Sequence, residues 1–252
     1  MKILAQAVPN NTTAGFQRAA EAAGHTWIWW EERHTAAFDV FDEIKPDIMF
    51  LMEPSRAITK CIKERPIVVV RGLYNEPFTF MVNNQSFPCG RLVDKHIFCL
   101  GDTSPAYLCD IGITCQPHPI GIKLCRDIGA ANIKIICNTA WGVVQYLGAG
   151  SLENKKDLYR SSSIVLVDSL LEAMRVAACG SVPINVGKRF VDQEFYERCL
   201  EADDVEEVWQ HYNNKTCQHV SRTNLASCIA GHTYDDALGV ILTAMPQSQE
   251  TP

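Results

Sequence analysis

Residues 161–186, SSSIVLVDSLLEAMRVAACGSVPINV, constrain the fold more tightly than any other stretch of this chain. Ile164–Val167 is a short continuous apolar run, as expected of a strand buried on both faces. Asp168 and Ser169 are good N-cap residues at the point where the hydrophobic period changes. Leu171, Met174 and Ala178 then recur at helical spacing, and Gly180 supplies the left-handed residue that ends a helix. Val182–Val186 reads as a second buried strand. A strand–helix–strand unit of this kind belongs in a parallel sheet. Asp168, Glu172 and Arg175 stand at i, i+4 and i+7, so the spacing predicts one polar stripe near the helix end that favours anions.

The rest of the chain repeats the alternation. Strands are expected at Lys2–Val8, Thr26–Trp30, Ile48–Met52, Ile67–Val70 and His96–Leu100, with helices from Ala14 and over 38–44 and 55–63. The turn after the first strand, Pro9-Asn10-Asn11-Thr12-Thr13, lacks Gly-x-Gly-x-x-Gly, so a dinucleotide fingerprint is absent. Of Trp27, Trp29 and Trp30, alternation places at least one in the core. Residues 71–91 read as a long loop, of the kind that is usually functional or disordered. Cys115-Gln116-Pro117-His118-Pro119-Ile120-Gly121 is proline-rich and reads as a hinge. Beyond it come a helix over 123–130, a strand at Ile133–Cys137, a helix over 153–160, the strand–helix–strand unit and a last helix over 237–244. The expected domains are 1–120 and 121–245, with 246–252 a frayed tail.

Composition narrows the function. The chain has 252 residues, 47% hydrophobic and 21% charged, enough for one large core or two small ones. A net charge of −6 argues against a dominant electrostatic grip on nucleic acid or an anionic membrane. No run approaches a membrane span, and the opening residues read as a strand rather than a signal peptide, so a cytoplasmic protein is expected. The 11 cysteines are odd in number, scattered and without a Cys-x-x-Cys pair, which favours reduced, buried thiols over a zinc site or disulfides.

Several motifs also carry a resemblance. Glu172-Ala173-Met174, followed by Ala178-Cys179-Gly180-Ser181-Val182-Pro183-Ile184, resembles the nucleotide-sugar-binding signature of GT-B glycosyltransferases, especially their CgeB-like branch. The helix ending Ala23-Gly24-His25 and the strand entry Lys45-Pro46-Asp47-Ile48 are similar to that family's acceptor-side domain. Pro119-Ile120-Gly121 is similar to its crossover, and Tyr146-Leu147-Gly148-Ala149-Gly150 to the segment before its donor-binding helix. Gly231-His232-Thr233-Tyr234 resembles its terminal His-Thr-Tyr. The resemblance implies an α/β fold of two Rossmann-like doubly wound parallel-sheet halves, the second reduced. It implies a metal-independent glycosyltransferase with no cofactor, moving a sugar from a nucleotide-sugar donor held between the halves to a hydroxyl acceptor.

The chain departs from the family in two places. Arg175 stands where an acid is usual, with Glu172 the nearest acid, and the first strand and phosphate-binding loop of the donor half are not discernible. The resemblance assigns the donor to Asp168, Ser169, Glu172, Arg175 and Gly180, with Glu172 on the ribose and Arg175 on the diphosphate. Lys188 or Arg189 is a second source of that positive charge. The alternative for Glu172 and Arg175 is an ordinary i, i+3 pair on a solvated helix face. Strand carboxyl ends place Asn10, Asn11, Glu53 and Arg71 on the substrate. Asp102, Glu76 and His118 are the candidate acids and bases, although Asp102 also suits a turn cap and His118 a hinge position. Two other readings stay open: a hydroxymethylated base of viral DNA as acceptor, or a degenerate module that binds a nucleotide or protein partner without catalysis.

Overall fold

The structure is a computed structural model that describes residues 1–6, 11–31, 37–51, 68–73, 78–82, 85–90, 92–127, 132–143, 145–187 and 198–243. The chain gathers into two compact units, Met1–Leu92 with His232–Pro252, and Val93–Gly231. In the first unit run β1 (Lys2–Gln6), α1 (Asn11–Ala22), β2 (Thr26–Trp30), α2 (Ala37–Ile44), β3 (Ile48–Leu51), β4 (Val68–Leu73), β5 (Phe78–Val82) and β6 (Gln85–Gly90). The second unit contains β7 (Cys109–Ile113), α3 (Pro119–Asp127), β8 (Ile133–Ile135), α4 (Leu152–Ser161) and β9 (Ser162–Val167). It continues with α5 (Leu170–Ala178), β10 (Val182–Asn185), β11 (Leu200–Glu201), α6 (Val205–Asn213) and α7 (Lys215–Ile229). A last helix, α8 (Tyr234–Thr243), returns to the first unit.

The first sheet has the order β2-β1-β3-β4-β5-β6, parallel as far as β4 and antiparallel beyond it. Alternation along β1 sends Ile3 and Ala5 to one face, with Phe16 and Ala19 of α1 and Leu238 and Ile241 of α8, and Leu4 to the other, with Val40 and Phe41 of α2. Each such large buried side chain contributes about 1.5–3 kcal/mol. Gly15 is required for the seating of α8: a Cβ there would lie 2.5 Å from the Tyr234 ring. Trp27 and Trp30 are buried and Trp29 is 39% exposed, so two of the three tryptophans serve the core.

Two expectations for this unit are corrected. Residues 71–91 are not a long loop: most of them form β5 and β6, whose Phe, Thr, Met and Val residues suit a pleated sheet. Arg71 therefore lies inside β4, opposite Leu51 and Met81, and not beyond a strand end. The helix expected over 55–63 lies outside the described residues.

The second sheet is wholly parallel, in the order β11-β10-β9-β7-β8. One face packs Ile111, Ile113, Ile164, Leu166 and Ile184 against Leu124 of α3 and Val205 and Val208 of α6. The other packs Val165 and Val167 against Tyr159 of α4, Met174 and Ala177 of α5 and Leu225 of α7. With both faces covered, β9 reads as the unbroken apolar run seen in the sequence.

Here too the structure corrects the expectation. The strand expected at His96–Leu100 does not form; those residues make turns and bends, with Ile97 and Phe98 buried under α5. The strand that does form is β7, next to the centre of the sheet, and it is the first strand that the second half had seemed to lack. Cys109-Asp110-Ile111-Gly112-Ile113 hides its character because Asp and Gly are poor strand formers. Gly112 is needed there, because a Cβ would stand 2.7 Å from the Ser162 hydroxyl of β9. The boundary expected at residue 120 consequently falls inside the second unit, and the last helix belongs to the first.

Candidate functional site

β7 leads through α3 to β8 on one side, whereas β9 lies on its other side and leads through α5 to β10. The two crossover helices pack on opposite faces of the sheet, so the chain parts between β7 and β9 at their carboxyl ends. A reversal of this kind opens a crevice, and it is where ligands bind in open α/β sheets.

The residues at this edge are tied to one another. The Gln116 N–H, in the loop after β7, donates to Asp168 Oδ2, after β9, at 2.8 Å, and so spans the reversal. The Thr139 hydroxyl, beyond β8, donates to Gln116 Oε1. On the other flank the Gly187 N–H donates to Asn185 Oδ1 at 3.1 Å, and a Cβ at Gly187 would lie 3.0 Å from Asp168 Cα. Ser169 caps α5, its hydroxyl accepting the Glu172 N–H at 3.3 Å from an extended backbone. His118 caps α3: its carbonyl accepts the Ile122 N–H at 3.0 Å, and Pro119 takes the first helical position, where a missing N–H costs nothing. Both helices therefore begin at this edge, presenting N–H groups and the positive ends of their dipoles, an arrangement that holds anions. Among the described residues, the Nδ1 of His118 and the Nε1 of Trp141 are buried without a hydrogen-bond partner. Gly121 of α3 admits the Trp141 ring, which a Cβ there would meet at 2.5 Å.

Glu172 and Arg175 do form the i, i+3 pair given above as the alternative to a donor site, but not on a solvated face. Glu172 Oε1 accepts from Arg175 Nη1 at 2.9 Å and from Lys155 Nζ of α4 at 3.1 Å, and Oε2 accepts from the Tyr159 hydroxyl. The side chains of Glu172 and Arg175 are each 13% exposed and that of Lys155 is 14% exposed. The Arg175 guanidinium lies 5.0 Å from the centre of the Phe98 ring. The polar stripe thus divides, Asp168 turning to the β7 loop while Glu172 and Arg175 clamp α5 to α4.

Among the other expected donor residues, Gly180 is at the far end of α5, with φ +89°, where a Cβ would lie 2.6 Å from the Leu100 side chain. The helix runs back along the sheet, so Gly180 lies at the edge opposite Asp168 and does not join it. Asp102 is exposed in the loop after the turns at 95–100 rather than at a strand end. Asn11 opens α1; Asn10, Glu53, Glu76, Lys188 and Arg189 lie outside the described residues. Sequence reasoning missed Gln116, Thr139, Asn185 and Gly187. The first was within reach, because His118-Pro119 is a helix-start signature that had been read as part of a hinge.

Cys99, Cys109, Cys115, Cys125, Cys137, Cys179, Cys199, Cys217 and Cys228 are free thiols. Burial pushes the Cys179 and Cys199 thiols up to about 12 and Cys125 up to about 11, and burial with the neighbouring Asp168 charge pushes Cys115 up further still. Such thiols act as small apolar side chains. No group of three His, Cys, Asp or Glu side chains suited to a metal occurs among the described residues, and no described helix is long and apolar enough to cross a membrane.

No protein-family model and no curated protein sequence matches this chain. Solved structures do match it. A UDP-N-acetylglucosamine 2-epimerase matches with a TM-score of 0.59 at 12% identity, over 96% of this chain and 94% of its own. The chain has a GT-B-like fold. The UDP-GlcNAc 2-epimerase of Neisseria meningitidis bound to UDP-GlcNAc matches with a TM-score of 0.51 at 11% identity, over 96% of this chain and 99% of its own. The glycosyltransferase SnogD from Streptomyces nogalater matches with a TM-score of 0.50 at 11% identity, over 97% of this chain and 100% of its own.

Proposed function

We propose that this protein binds a nucleotide-sugar at the carboxyl edge of the second sheet and transfers its sugar to a hydroxyl acceptor, without a metal ion. The observation that carries the reading is the reversal between β7 and β9, where α3 and α5 both begin and Gln116 bridges to Asp168. Similarity in fold to two enzymes whose names specify a nucleotide-sugar, and to one named a glycosyltransferase, supports it. The diphosphate lies across the starts of α3 and α5, whose N–H groups neutralise it in place of a cation. Asp168, held through Oδ2, has Oδ1 to accept from a ribose or sugar hydroxyl. His118, at the start of α3, is the group that stabilises or protonates the departing diphosphate. Glu172 and Arg175 act as positioning residues through the clamp on α4. The acceptor side is assigned to Asn10, Asn11 and Glu53, which follow β1 and β3, where the order β2-β1-β3 reverses in the same way.

A second reading is epimerisation of the donor sugar with no acceptor, favoured by the two matched structures named as UDP-GlcNAc 2-epimerases. Incubation with UDP-GlcNAc and other nucleotide-sugars, followed by proton NMR, separates the two. A new sugar epimer marks the second, and nucleoside diphosphate release that rises with added hydroxyl compounds marks the first. Neither product, together with no thermal shift from any common nucleoside diphosphate at millimolar concentration, would remove both. At a ligand concentration about a hundred times Kd, binding adds roughly 2.7 kcal/mol of stability.

A further inference from the structure

Arg160, in the last turn of α4, gathers two thiols around one guanidinium. It donates from Nε to the Cys99 carbonyl at 2.8 Å, and from Nη2 to the Ile97 carbonyl at 3.4 Å and the Cys99 sulfur at 3.0 Å. The same guanidinium hydrogen-bonds the sulfur of Cys179, the residue that ends α5, and the Cys99 N–H donates to that sulfur as well. No carboxylate among the described residues pairs with Arg160. A half-buried charge is costly without a counter-charge. Of the groups that accept from this guanidinium, only the two thiols can carry a negative charge.

The two thiols are placed differently. Cys99 is half-buried and precedes Leu100, which is 77% exposed, whereas Cys179 is buried. Their segments come together because residue 180 is a glycine: its φ is +89°, and a Cβ there would lie 2.6 Å from the Leu100 side chain. Burial holds the Cys179 thiol up at about 12, so it stays protonated and inert toward an oxidant in solution. The Cys99 sulfur instead faces a guanidinium, which stabilises the negative charge that sulfur bears as it attacks. Both thiols lie at the end of α5 opposite Asp168 and Ser169, so the nucleotide reading has no use for them.

We propose that Cys99 and Cys179 form a redox-modification site, in which a hydroperoxide oxidises Cys99 and Cys179 then closes a reversible disulfide with it. With hydrogen peroxide, the Cys99 sulfur attacks one oxygen; the S–O bond forms, the O–O bond breaks, and the other oxygen leaves as water with the thiol proton. The Cys179 sulfur next displaces the hydroxyl from the Cys99 sulfenic acid. The S–S bond forms, the S–O bond breaks, and the hydroxyl leaves as a second water with the Cys179 proton. Two electrons pass from the thiols to one peroxide, and a dithiol reductant returns them. Arg160 acts as a positioning residue, because its bonds to the Cys99 and Ile97 carbonyls hold the 95–100 turns against the end of α5.

The test treats the reduced whole protein at pH 7 with hydrogen peroxide for graded times, caps the remaining thiols with N-ethylmaleimide in denaturant, and maps the peptides without reduction by mass spectrometry. A linked pair of Cys99 with Cys179 is expected, and dithiothreitol should return both as free thiols. Cys217, also half-buried but without a guanidinium hydrogen bond among the described residues, is the internal reference. Cys99 should be consumed roughly tenfold faster than Cys217, or more. In Cys179→Ala the sulfenic acid should persist at Cys99, where dimedone captures it. In Cys99→Ser, a change at a half-exposed position, Cys179 should remain a thiol, which keeps the test decisive should Cys179→Ala not fold. Cys99 consumed no faster than Cys217, Cys99 oxidised to a sulfinic acid while Cys179 still takes N-ethylmaleimide, a bond from Cys99 to any other cysteine, or Cys179 oxidised in Cys99→Ser would each overturn the proposal.

Discussion

Replacing Glu172 by alanine distinguishes a clamp from a solvated pair most sharply. In the folded protein its carboxylate takes hydrogen bonds from Lys155, Tyr159 and Arg175, and the three charged side chains are 13–14% exposed. Removing the acid leaves two cations, nearly out of water and close together, and a buried hydroxyl with no acceptor. Breaking a buried ion pair by deleting one partner costs about 3–5 kcal/mol. A solvated i, i+3 pair is worth only about 0.2–0.5 kcal/mol. At roughly 2–4 °C per kcal/mol for a chain of this size, the clamp predicts a fall in Tm on the order of 10 °C. Urea unfolding of wild type, Glu172→Ala, Arg175→Met and the double variant supplies the free energies, and the cycle supplies the coupling. The double variant should be more stable than Glu172→Ala, because it no longer strands Arg175. A change within about 0.5 kcal/mol for Glu172→Ala, together with a tenfold or greater loss of nucleotide affinity, would refute the clamp and return Glu172 to the ribose.

Three further outcomes are expected. Gly187→Ala should cost about 1–3 kcal/mol and weaken nucleoside diphosphate binding in a thermal-shift titration, because its Cβ would meet the Asp168 backbone at 3.0 Å. His118→Ala should lower turnover by roughly 10²–10⁴-fold while leaving the protein folded by circular dichroism; unchanged turnover would take His118 out of the reaction. The thiols of Cys125, Cys179 and Cys199 are pushed above the ordinary value of 9.0, so their protons are held more tightly in the folded state than in the unfolded one. Stability should therefore be unaffected by these groups below about pH 9 and should fall above it, by on the order of 1 kcal/mol per pH unit for each thiol, as read from urea midpoints between pH 8 and 10.

The sequence by itself determined the class of fold, because period and burial are local. The run Ile164–Val167, the cap Asp168-Ser169, the helical spacing to Ala178 and Gly180 identify β9, α5 and β10 to within a residue or two. The place of Asp168 was also legible, since a residue that follows a buried parallel strand stands at the carboxyl edge of the sheet. Strand order was not legible, and it decided the rest. Only the placement of β7 between β8 and β9 puts Gln116 beside Asp168, and β7 escaped notice because Gly112 is required by a neighbour distant in sequence, Ser162. The polarity of Glu172 and Arg175 was plain, but whether it faced a ligand, water or another helix depended on α4, whose Lys155 and Tyr159 reach them only in the folded chain. Hydrophobic pattern records which face of an element is covered; it carries no record of the partner that covers it, and polar chemistry takes its meaning from that partner.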